Sequence, residues 1–256
     1  MRSVQQGVLV GLIVLLLAGW GRPQLPLRLV PATPRTLDVP ILLYHRIALK
    51  AVGLPGLTVP PAEFAAEMRW LHGAGFHAIT QLQLYDALER GARLPPRPFM
   101  VTFDDGYRDV LWNAAPLLHR LRMPATEYVI TSRVDDGDPS FLSWPELRRL
   151  RALGFDIGSH TVHHVDLTAL PVGDAYTELL ESRLALERHL HTAVPWFAYP
   201  FGRADAQVAR LAARAGYLLA VTEQPGETQS VPLQLERERV LPTTGLAGLR
   251  ALVESG

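Results

Sequence analysis

The sequence of 256 residues contains no cysteine and a single lysine, Lys50. Without cysteine the chain has no disulfide framework, thiol nucleophile, cysteine-ligated zinc site or iron–sulfur cluster. Any metal ion must therefore be held by histidine and carboxylate side chains. A surplus of charge is also missing, because 25 basic residues balance 25 acidic ones. This balance argues against a nucleic-acid-binding protein, which usually carries a basic surplus.

Apolar residues make up 48% of the chain, which excludes a disordered protein and predicts one folded domain with a sizeable core. The longest apolar run covers residues 7–20 and follows Arg2. It is shorter than the ~20 residues of a spanning helix and matches the ~7–15 residues of a signal-peptide core. The run therefore predicts an exported, extracytoplasmic protein, and a buried core helix is the alternative.

We accordingly divide the chain into three parts. Residues 1–21 are predicted to be a signal peptide, or an N-terminal anchor that contacts the membrane if it is not cleaved. Residues 22–37 contain four prolines and are predicted to be an extended tether. Residues 38–256 form the folded domain.

The folded part alternates between two kinds of pattern. Short apolar runs predict buried strands at 39–44, 99–103, 125–130, 155–158, 196–199 and 217–221. Helical spacing predicts helices at 61–73, 81–90, 109–122, 145–154, 174–191 and 204–215, and a last one from near Leu246. Such alternation is typical of an α/β fold with a parallel sheet, and about seven β/α units fit a barrel better than an open sheet.

Two polar clusters follow predicted strands, where the active sites of β/α barrels lie. Asp104 and Asp105 come directly after the strand that ends at Phe103. Adjacent carboxylates at such a place repel each other unless a cation lies beside them. A surface Asp-Asp-Gly turn is the alternative.

The second cluster places three histidines within the segment Ser159–His164. His160 and His164 are four residues apart, so one helical turn would put both imidazoles on one face, a known metal-ligand spacing. A polar surface turn is the alternative. Together with one aspartate the pair predicts three ligands and an open position, as in a catalytic metal site. Zinc is the first choice, and cobalt, nickel or iron would also fit these ligands.

These segments resemble a known family. TFDDG (Thr102–Gly106) and SHTVHH (Ser159–His164) are similar to the first two motifs of the polysaccharide deacetylases, carbohydrate esterase family 4, also called the NodB-homology domain. The resemblance covers about residues 39–245 and includes Ile41–Ile47, Phe141–Leu150 and Phe197–Gly202. The opening segment is similar to the branch that deacetylates poly-N-acetylglucosamine.

The resemblance implies a distorted (β/α)7 barrel and a role for each motif residue. Asp104 would be the general base, and Asp105, His160 and His164 would hold the metal ion. The backbone N–H of Phe201 would stabilise the oxyanion.

Two departures from the family pattern concern the acid and the base. Ala198 occupies the position of the arginine that usually tunes the catalytic aspartate, and no histidine follows His191 to act as the general acid. In the poly-N-acetylglucosamine branch the acid comes from the first strand, which suggests His45. A half-buried histidine without a catalytic role is the alternative there.

The sequence thus predicts a metal-dependent hydrolase that removes N-acetyl groups from an N-acetylglucosamine polysaccharide. Tyr107, Trp112 and Tyr199 are the candidates for contact with the sugar, whereas Trp144 and Trp196 are more typical of core packing. An O-acetyl esterase acting on xylan and a non-catalytic polysaccharide-binding protein remain alternatives. A phosphatase of the haloacid-dehalogenase type lacks its Asp-x-Asp spacing and its downstream lysine here.

Overall fold

The computed structural model describes residues 35–50 and 55–254, so the predicted export segment lies outside the described residues. The strands are β1 Leu37–Asp38, β2 Ile41–Tyr44, β3 Arg46–Ile47, β4 Thr58–Val59, β5 His77–Ala78, β6 Pro98–Phe103, β7 Ala125–Val129, β8 Phe155–Ser159, β9 Trp196–Ala198, β10 Leu219–Val221, β11 Thr228–Gln229 and β12 Glu238–Arg239. The α-helices are α1 Pro61–Gly73, α2 Gln81–Arg90, α3 Asp109–Asn113, α4 Ala115–Leu121, α5 Thr131–Asp135, α6 Trp144–Ala152, α7 Val172–Leu190, α8 Ala206–Ala215 and α9 Gly245–Val253. Single 3-10 turns occupy Pro55–Leu57, Leu167–Ala169 and Pro200–Gly202.

The central sheet is parallel and has the strand order β10-β9-β8-β7-β6-β2-β12. Strand β5 pairs with the first two residues of β6. Because the strands are parallel, their carboxyl ends meet at one end of the sheet. The predicted α/β fold with a parallel sheet is confirmed.

One segment joins the two outer strands of this sheet. The backbone of Pro232 and Leu235 hydrogen-bonds to Ala220 of β10, and the Leu235 N–H donates to the Ala220 carbonyl at 2.9 Å. The same segment continues as β12, which pairs with β2. The sheet is therefore curled, an arrangement consistent with a (β/α) barrel.

Both faces of the strands are apolar because both faces are covered. In β6, Phe99, Val101 and Phe103 enter the large cluster packed against the helices, whereas Met100 points to a second cluster on the opposite face. Alternation with period 2 thus divides an uninterrupted apolar run between two cores. The run in the sequence predicted this strand correctly.

The structure corrects several element boundaries. The helix predicted over 109–122 is two helices that meet at Ala114, since Pro116 in the first turn of α4 has no N–H to continue the ladder. Helix α5 and the two-residue strands were not predicted because they are too short to show a period. Leu37, placed in the tether by the sequence, pairs with Gln229 in a small antiparallel sheet. Among the described residues, no helix combines the length and apolarity needed to cross a membrane.

Candidate active site

The carboxyl ends of four strands of the central sheet carry the residues that the sequence singled out. His45 follows β2, Asp104 and Asp105 follow β6, His160 follows β8, and Phe201 lies shortly after β9. The topology places β2, β6, β8 and β9 within one sheet, so these side chains converge at its carboxyl end. The structure therefore brings together every residue predicted for the reaction.

The three predicted metal ligands face one another. The Asp105 Oδ1 atom lies 3.6 Å from His160 Nε2 and 3.6 Å from His164 Nε2. Two ligands of one tetrahedral zinc ion are about 3.3–3.6 Å apart, because each lies about 2.0–2.2 Å from the metal. The Asp105 Oδ1 atom is buried and has no hydrogen-bond partner. An ion between these three atoms would satisfy it, so the residues fit a divalent metal.

The buried environment of His160 prepares its imidazole for this role. Its Nδ1 atom lies 2.7 Å from the Ala198 carbonyl, which fixes the hydrogen on that nitrogen and leaves the Nε2 lone pair facing Asp105. Burial lowers the pKa of His160 to about 3. The ring is therefore neutral at neutral pH, as a metal ligand must be.

The pairing of His160 with His164 does not come from a helical turn, which corrects the sequence interpretation. Residues 160–164 are not helical, and Thr161 and His164 have left-handed φ values of 67° and 56°. The Thr161 Oγ1 atom accepts the His164 N–H at 2.9 Å and holds this turn closed. The two rings consequently lie 4.7 Å apart. The spacing of four was informative, but an irregular turn produces the geometry.

The electrostatics of Asp105 favour a bound cation. Burial and the neighbouring Asp104 carboxylate raise the pKa of Asp105 to about 7, although a hydrogen bond from Tyr107 opposes the shift. A carboxylate that is destabilised in this way gains from a positive ion beside it.

Asp104 has the opposite environment. Arg237 donates two hydrogen bonds to it, from Nη1 to Oδ1 at 2.8 Å and from Nη2 to Oδ2 at 2.7 Å. Burial alone would raise the pKa of Asp104, but Arg237 and His160 outweigh it and hold the pKa at about 2. Although Asp104 is fully buried, this low pKa keeps its carboxylate ionised throughout the physiological range.

His45 lies beside Asp104 and a further carboxylate, Glu223. Ligand-type atoms of these three residues lie within 4.8 Å of one another. Glu223 is also ion-paired with Arg239. Burial lowers the pKa of His45 to about 4, although the Asp104 carboxylate opposes this shift. His45 is therefore neutral at neutral pH.

A cavity of about 440 Å³ opens above these groups. Tyr107 and Phe141 stack at 4.9 Å in its wall, and Phe201 projects into it with 52% of its surface exposed. The Phe201 ring also packs edge-on against His164 at 4.6 Å. The remaining lining residues are Leu57, Ile130, Arg133, His164, Glu223 and Arg239, together with His45 and Asp105.

Comparison with known proteins decides the family. A family model described as polysaccharide deacetylase matches residues 91–220, about half of the chain. The chain belongs to the polysaccharide deacetylase family. A Bacillus subtilis protein named as a polysaccharide deacetylase, YxkH, is 29% identical over 87% of this chain and 78% of its own length. The poly-beta-1,6-N-acetyl-D-glucosamine N-deacetylase of Staphylococcus aureus is 25% identical, and the alignment spans 57% of this chain and about half of that enzyme.

Solved structures agree with this assignment. The Streptococcus pyogenes deacetylase PplD, solved in complex with acetate, superposes with a TM-score of 0.80 and 28% identity over 86% of this chain and 99% of its own. A polysaccharide deacetylase of Bacillus anthracis superposes with a TM-score of 0.75 and 30% identity over 85% of this chain and 69% of its own. IcaB of Ammonifex degensii shares the fold, with a TM-score of 0.75 over 85% of this chain and 97% of its own at 24% identity.

The arginine missing from the third deacetylase motif is supplied from another part of the chain. Residue 198 is alanine, yet Arg237 reaches Asp104 from the segment that closes the sheet. Arg237 is almost completely buried, and it also donates to the Thr222 carbonyl at 2.7 Å. Sequence reasoning missed this residue because it lies among charged residues at 236–239 that carry no motif. Glu223 was missed because it also lies outside any motif.

The aromatic residues predicted to contact sugar divide into three cases. Tyr107 lines the cavity, whereas Trp112 does not and instead lies beneath the guanidinium of Arg149, 4.6 Å from it. Tyr199 is completely buried and its hydroxyl donates to the Leu233 carbonyl, so it belongs to the core. Trp196 is buried, and Trp144 stacks on a histidine outside the cavity, as expected for packing residues. Phe141 is the aromatic wall residue that sequence reasoning missed.

Proposed function

We propose that this deacetylase-family protein removes N-acetyl groups from an N-acetylglucosamine-containing polysaccharide with the help of a divalent metal ion, zinc being the first choice. The observation that carries the proposal is the buried Asp105 oxygen that lies 3.6 Å from two imidazole nitrogens with no hydrogen-bond partner. Asp105, His160 and His164 would hold the ion and leave a position open. When bound, such an ion would polarise the acetyl carbonyl and lower the pKa of a water molecule toward ~7.

Asp104 is proposed to accept the proton of the attacking water. Its two oxygens are held by Arg237, which fixes the carboxylate in one orientation and keeps it ionised. With a pKa of about 2, Asp104 is a weak base but a strong acid once protonated, so it would give up the accepted proton readily. His45, whose ring nitrogen lies within 4.8 Å of an Asp104 oxygen, is proposed to receive this proton and present it to the leaving amine.

His45 is proposed to give this proton to the amine nitrogen as the C–N bond breaks. Because His45 is neutral at neutral pH, it must first gain a proton, and the attacking water is the source. One water proton thus passes through Asp104 and His45 to the amine. The other stays on the oxygen that joins the acetyl group, so the products are a free amino sugar and acetic acid, which ionises to acetate. The Phe201 backbone N–H would stabilise the oxyanion, and the left-handed Phe201 φ of 58° sets the direction of that turn.

The shape of the surface supports a polymer as substrate. A second, polar groove of about 870 Å³ adjoins the cavity and shares Phe201, Glu223 and Arg239 with it. Hydroxyl-rich sugars suit such a lining, and a chain could continue from one cavity into the other. The S. aureus relative acts on poly-N-acetylglucosamine by name, which favours the same class of polymer here. We also propose that the apolar N-terminal run exports the protein to such an extracellular substrate.

The test is the release of free amine from N-acetylglucosamine oligomers by the purified protein, with chelator and with zinc added back. Metal-dependent release that disappears in Asp104→Asn would support the proposal. Release of acetate from acetylated xylan, with no amine released from the oligomers, would instead indicate an O-acetyl esterase. Oligomer binding without release of amine or acetate would indicate a non-catalytic polysaccharide-binding protein.

A further inference from the structure

We propose that Glu127 is a positioning residue that fixes the turn from which Asp105 reaches the metal. The inference rests on the proposed function, because it takes Asp105 as a metal ligand. No motif of the sequence includes Glu127. It is a completely buried acidic residue at the centre of β7.

Glu127 occupies a position where an apolar side chain would be expected. Its neighbours on the same face of the strand, Ala125 and Val129, belong to the large apolar cluster, as does Phe103, its register partner on β6. Burying a polar group in such a layer costs free energy unless the group is hydrogen-bonded. The position therefore calls for a specific partner.

The partner is the backbone N–H of Gly106, which donates to Glu127 Oε1 at 3.0 Å. The Gly106 carbonyl accepts the Leu142 N–H at 2.9 Å, so the two peptide units that flank the Gly106 Cα are each held by one hydrogen bond. A Cβ atom on Gly106 would lie 3.4 Å from Val129 Cγ1, which shows how closely β7 supports the turn. Gly106 is buried, and without Glu127 its N–H would have no acceptor among the described residues.

The turn needs this support because its backbone is strained. Asp105 has a left-handed φ of 78°, which is unfavourable for a residue with a side chain, and Gly106 follows with a φ of 83°. In this conformation the Asp105 carboxylate faces His160 and His164. If the 105–106 peptide relaxed, the carboxylate would leave the position 3.6 Å from both imidazoles.

Two neighbouring polar side chains have different tasks. Arg237 holds Asp104, one residue earlier, and Tyr107 donates to the Asp105 side chain rather than to its backbone. Glu127 is thus the group that fixes the peptide joining Asp105 to Gly106. Removing the acceptor should weaken the metal site and leave the ligands themselves unchanged.

The experiment compares Glu127→Met, which keeps the length but has no acceptor oxygen, with Glu127→Gln, which keeps one. Zinc affinity is measured by competition with a chromophoric chelator, and the visible spectrum of the cobalt-loaded protein reports the ligand geometry. We expect Glu127→Met to lose about 10–100-fold in affinity with an altered cobalt spectrum, as for other residues that orient metal ligands. The zinc affinity of Glu127→Gln should stay within about threefold of that of the wild type.

Gln81→Met is the matched control. Gln81 is also completely buried, and its amide donates to Thr126 and Tyr128, the two residues that flank Glu127 on the opposite face of β7. Its loss should lower the thermal stability of the protein and leave zinc affinity and the cobalt spectrum unchanged. An equal loss of zinc affinity in Gln81→Met would overturn the proposal, because general loosening of β7 would then explain the effect.

Wild-type zinc binding separates this inference from the proposed function. If the wild type binds no zinc, the proposed function fails. If it binds one zinc per chain and Glu127→Met binds it equally well, only the role of Glu127 fails. If Glu127→Gln lost as much zinc affinity as Glu127→Met, the proposal would also be overturned, because the loss would then not come from the missing acceptor oxygen. Should Glu127→Met not fold, hydrogen exchange of the Gly106 amide in the metal-free wild type decides, and exchange as fast as in an unstructured peptide would refute the bond.

Discussion

Replacement of Arg237 by methionine tests the pairing on which the proposed base depends. The change leaves the Asp104 carboxylate buried without its two hydrogen bonds, which measure 2.8 and 2.7 Å in the wild type. It also removes the donor that reaches the Thr222 carbonyl. Methionine fills much of the space of the arginine stem, so the effect reports mainly the lost charge and hydrogen bonds.

Two estimates give the expected loss in the free energy of unfolding. Holding the pKa of Asp104 at about 2 rather than at its ordinary ~3.9 corresponds to roughly 2–3 kcal/mol at 1.36 kcal/mol per unit. Removing one partner of a buried ion pair generally costs about 3–5 kcal/mol, because the remaining charge is uncompensated. We therefore expect Arg237→Met to lower the free energy of unfolding by about 3–5 kcal/mol at pH 7.

The pH dependence of this loss has a definite sign. In the wild type the depressed pKa of Asp104 contributes stability that is present above pH ~4 and lost as the pH falls toward 2. In the variant, burial without Arg237 raises the pKa, so protonation relieves the penalty as the pH falls. The stability difference between the two proteins should be largest near pH 7 and should narrow toward pH 4.

Urea unfolding of the metal-free proteins between pH 7 and pH 4 measures this difference. Adding Asp104→Asn to Arg237→Met should recover about 0.5–3 kcal/mol, since the uncompensated charge is gone. Arg203→Met is the control, because Arg203 pairs with Asp166 at the surface and should cost about 1 kcal/mol or less. A loss below about 1 kcal/mol in Arg237→Met, or one that does not change with pH, would refute the reasoning.

Three further predictions concern the site. His45→Gln should keep zinc and lower kcat for amine release by about 10²–10⁴-fold, as for a lost proton donor; unchanged kcat would show that another group delivers the proton. Tyr107→Phe removes the hydrogen bond to Asp105 and should weaken zinc binding about 10-fold, measured by chelator competition; unaltered affinity would show that the bond is dispensable. Zinc affinity should also fall as the pH drops below about 7. Burial and the Asp104 carboxylate raise the pKa of Asp105 to about 7, and the Asp105 proton must leave before the metal binds. Isothermal titration calorimetry at pH 6 and pH 8 checks this, and equal zinc affinity at both pH values would contradict it.

The residues proposed for the metal site could be picked out from the sequence because local signals mark them. Asp104 and Asp105 directly follow an apolar run, and a parallel sheet brings such strand ends together. His160 and His164 follow β8, and their spacing of four residues alone marked them as candidate ligands. The irregular turn that joins them could not be foreseen, because left-handed φ values at Thr161 and His164 leave no pattern in the residue types.

Arg237 shows what local signals leave out. Its contact with Asp104 bridges 133 residues of sequence and exists only because residues 232–239 connect the outer strands of the curled sheet. An arginine at position 198 would approach Asp104 from β9, whereas Arg237 approaches it from the position directly before β12. The family pattern alone therefore suggested that Asp104 has no arginine partner, whereas in the structure Arg237 takes that place.

Tyr199 illustrates an error of a different kind. Residues of β9 alternate between two sides, so Ala198 faces the interior cluster while Phe197 and Tyr199 pack beneath α7 and α8. An aromatic residue in a motif thus entered the core, and Tyr107 and Phe141 form the aromatic wall of the cavity. A count of alternation along β9 would have separated the two cases.

The most direct test of the account is the zinc content of the purified protein measured together with its amine-releasing activity. We expect one zinc per chain and activity on N-acetylglucosamine oligomers, both lost in Asp105→Asn, whereas Asp104→Asn retains the zinc and loses only the activity. A wild-type protein that binds no divalent metal, or an Asp105→Asn variant that keeps both zinc and activity, would contradict the assignment of Asp105, His160 and His164 as the metal site.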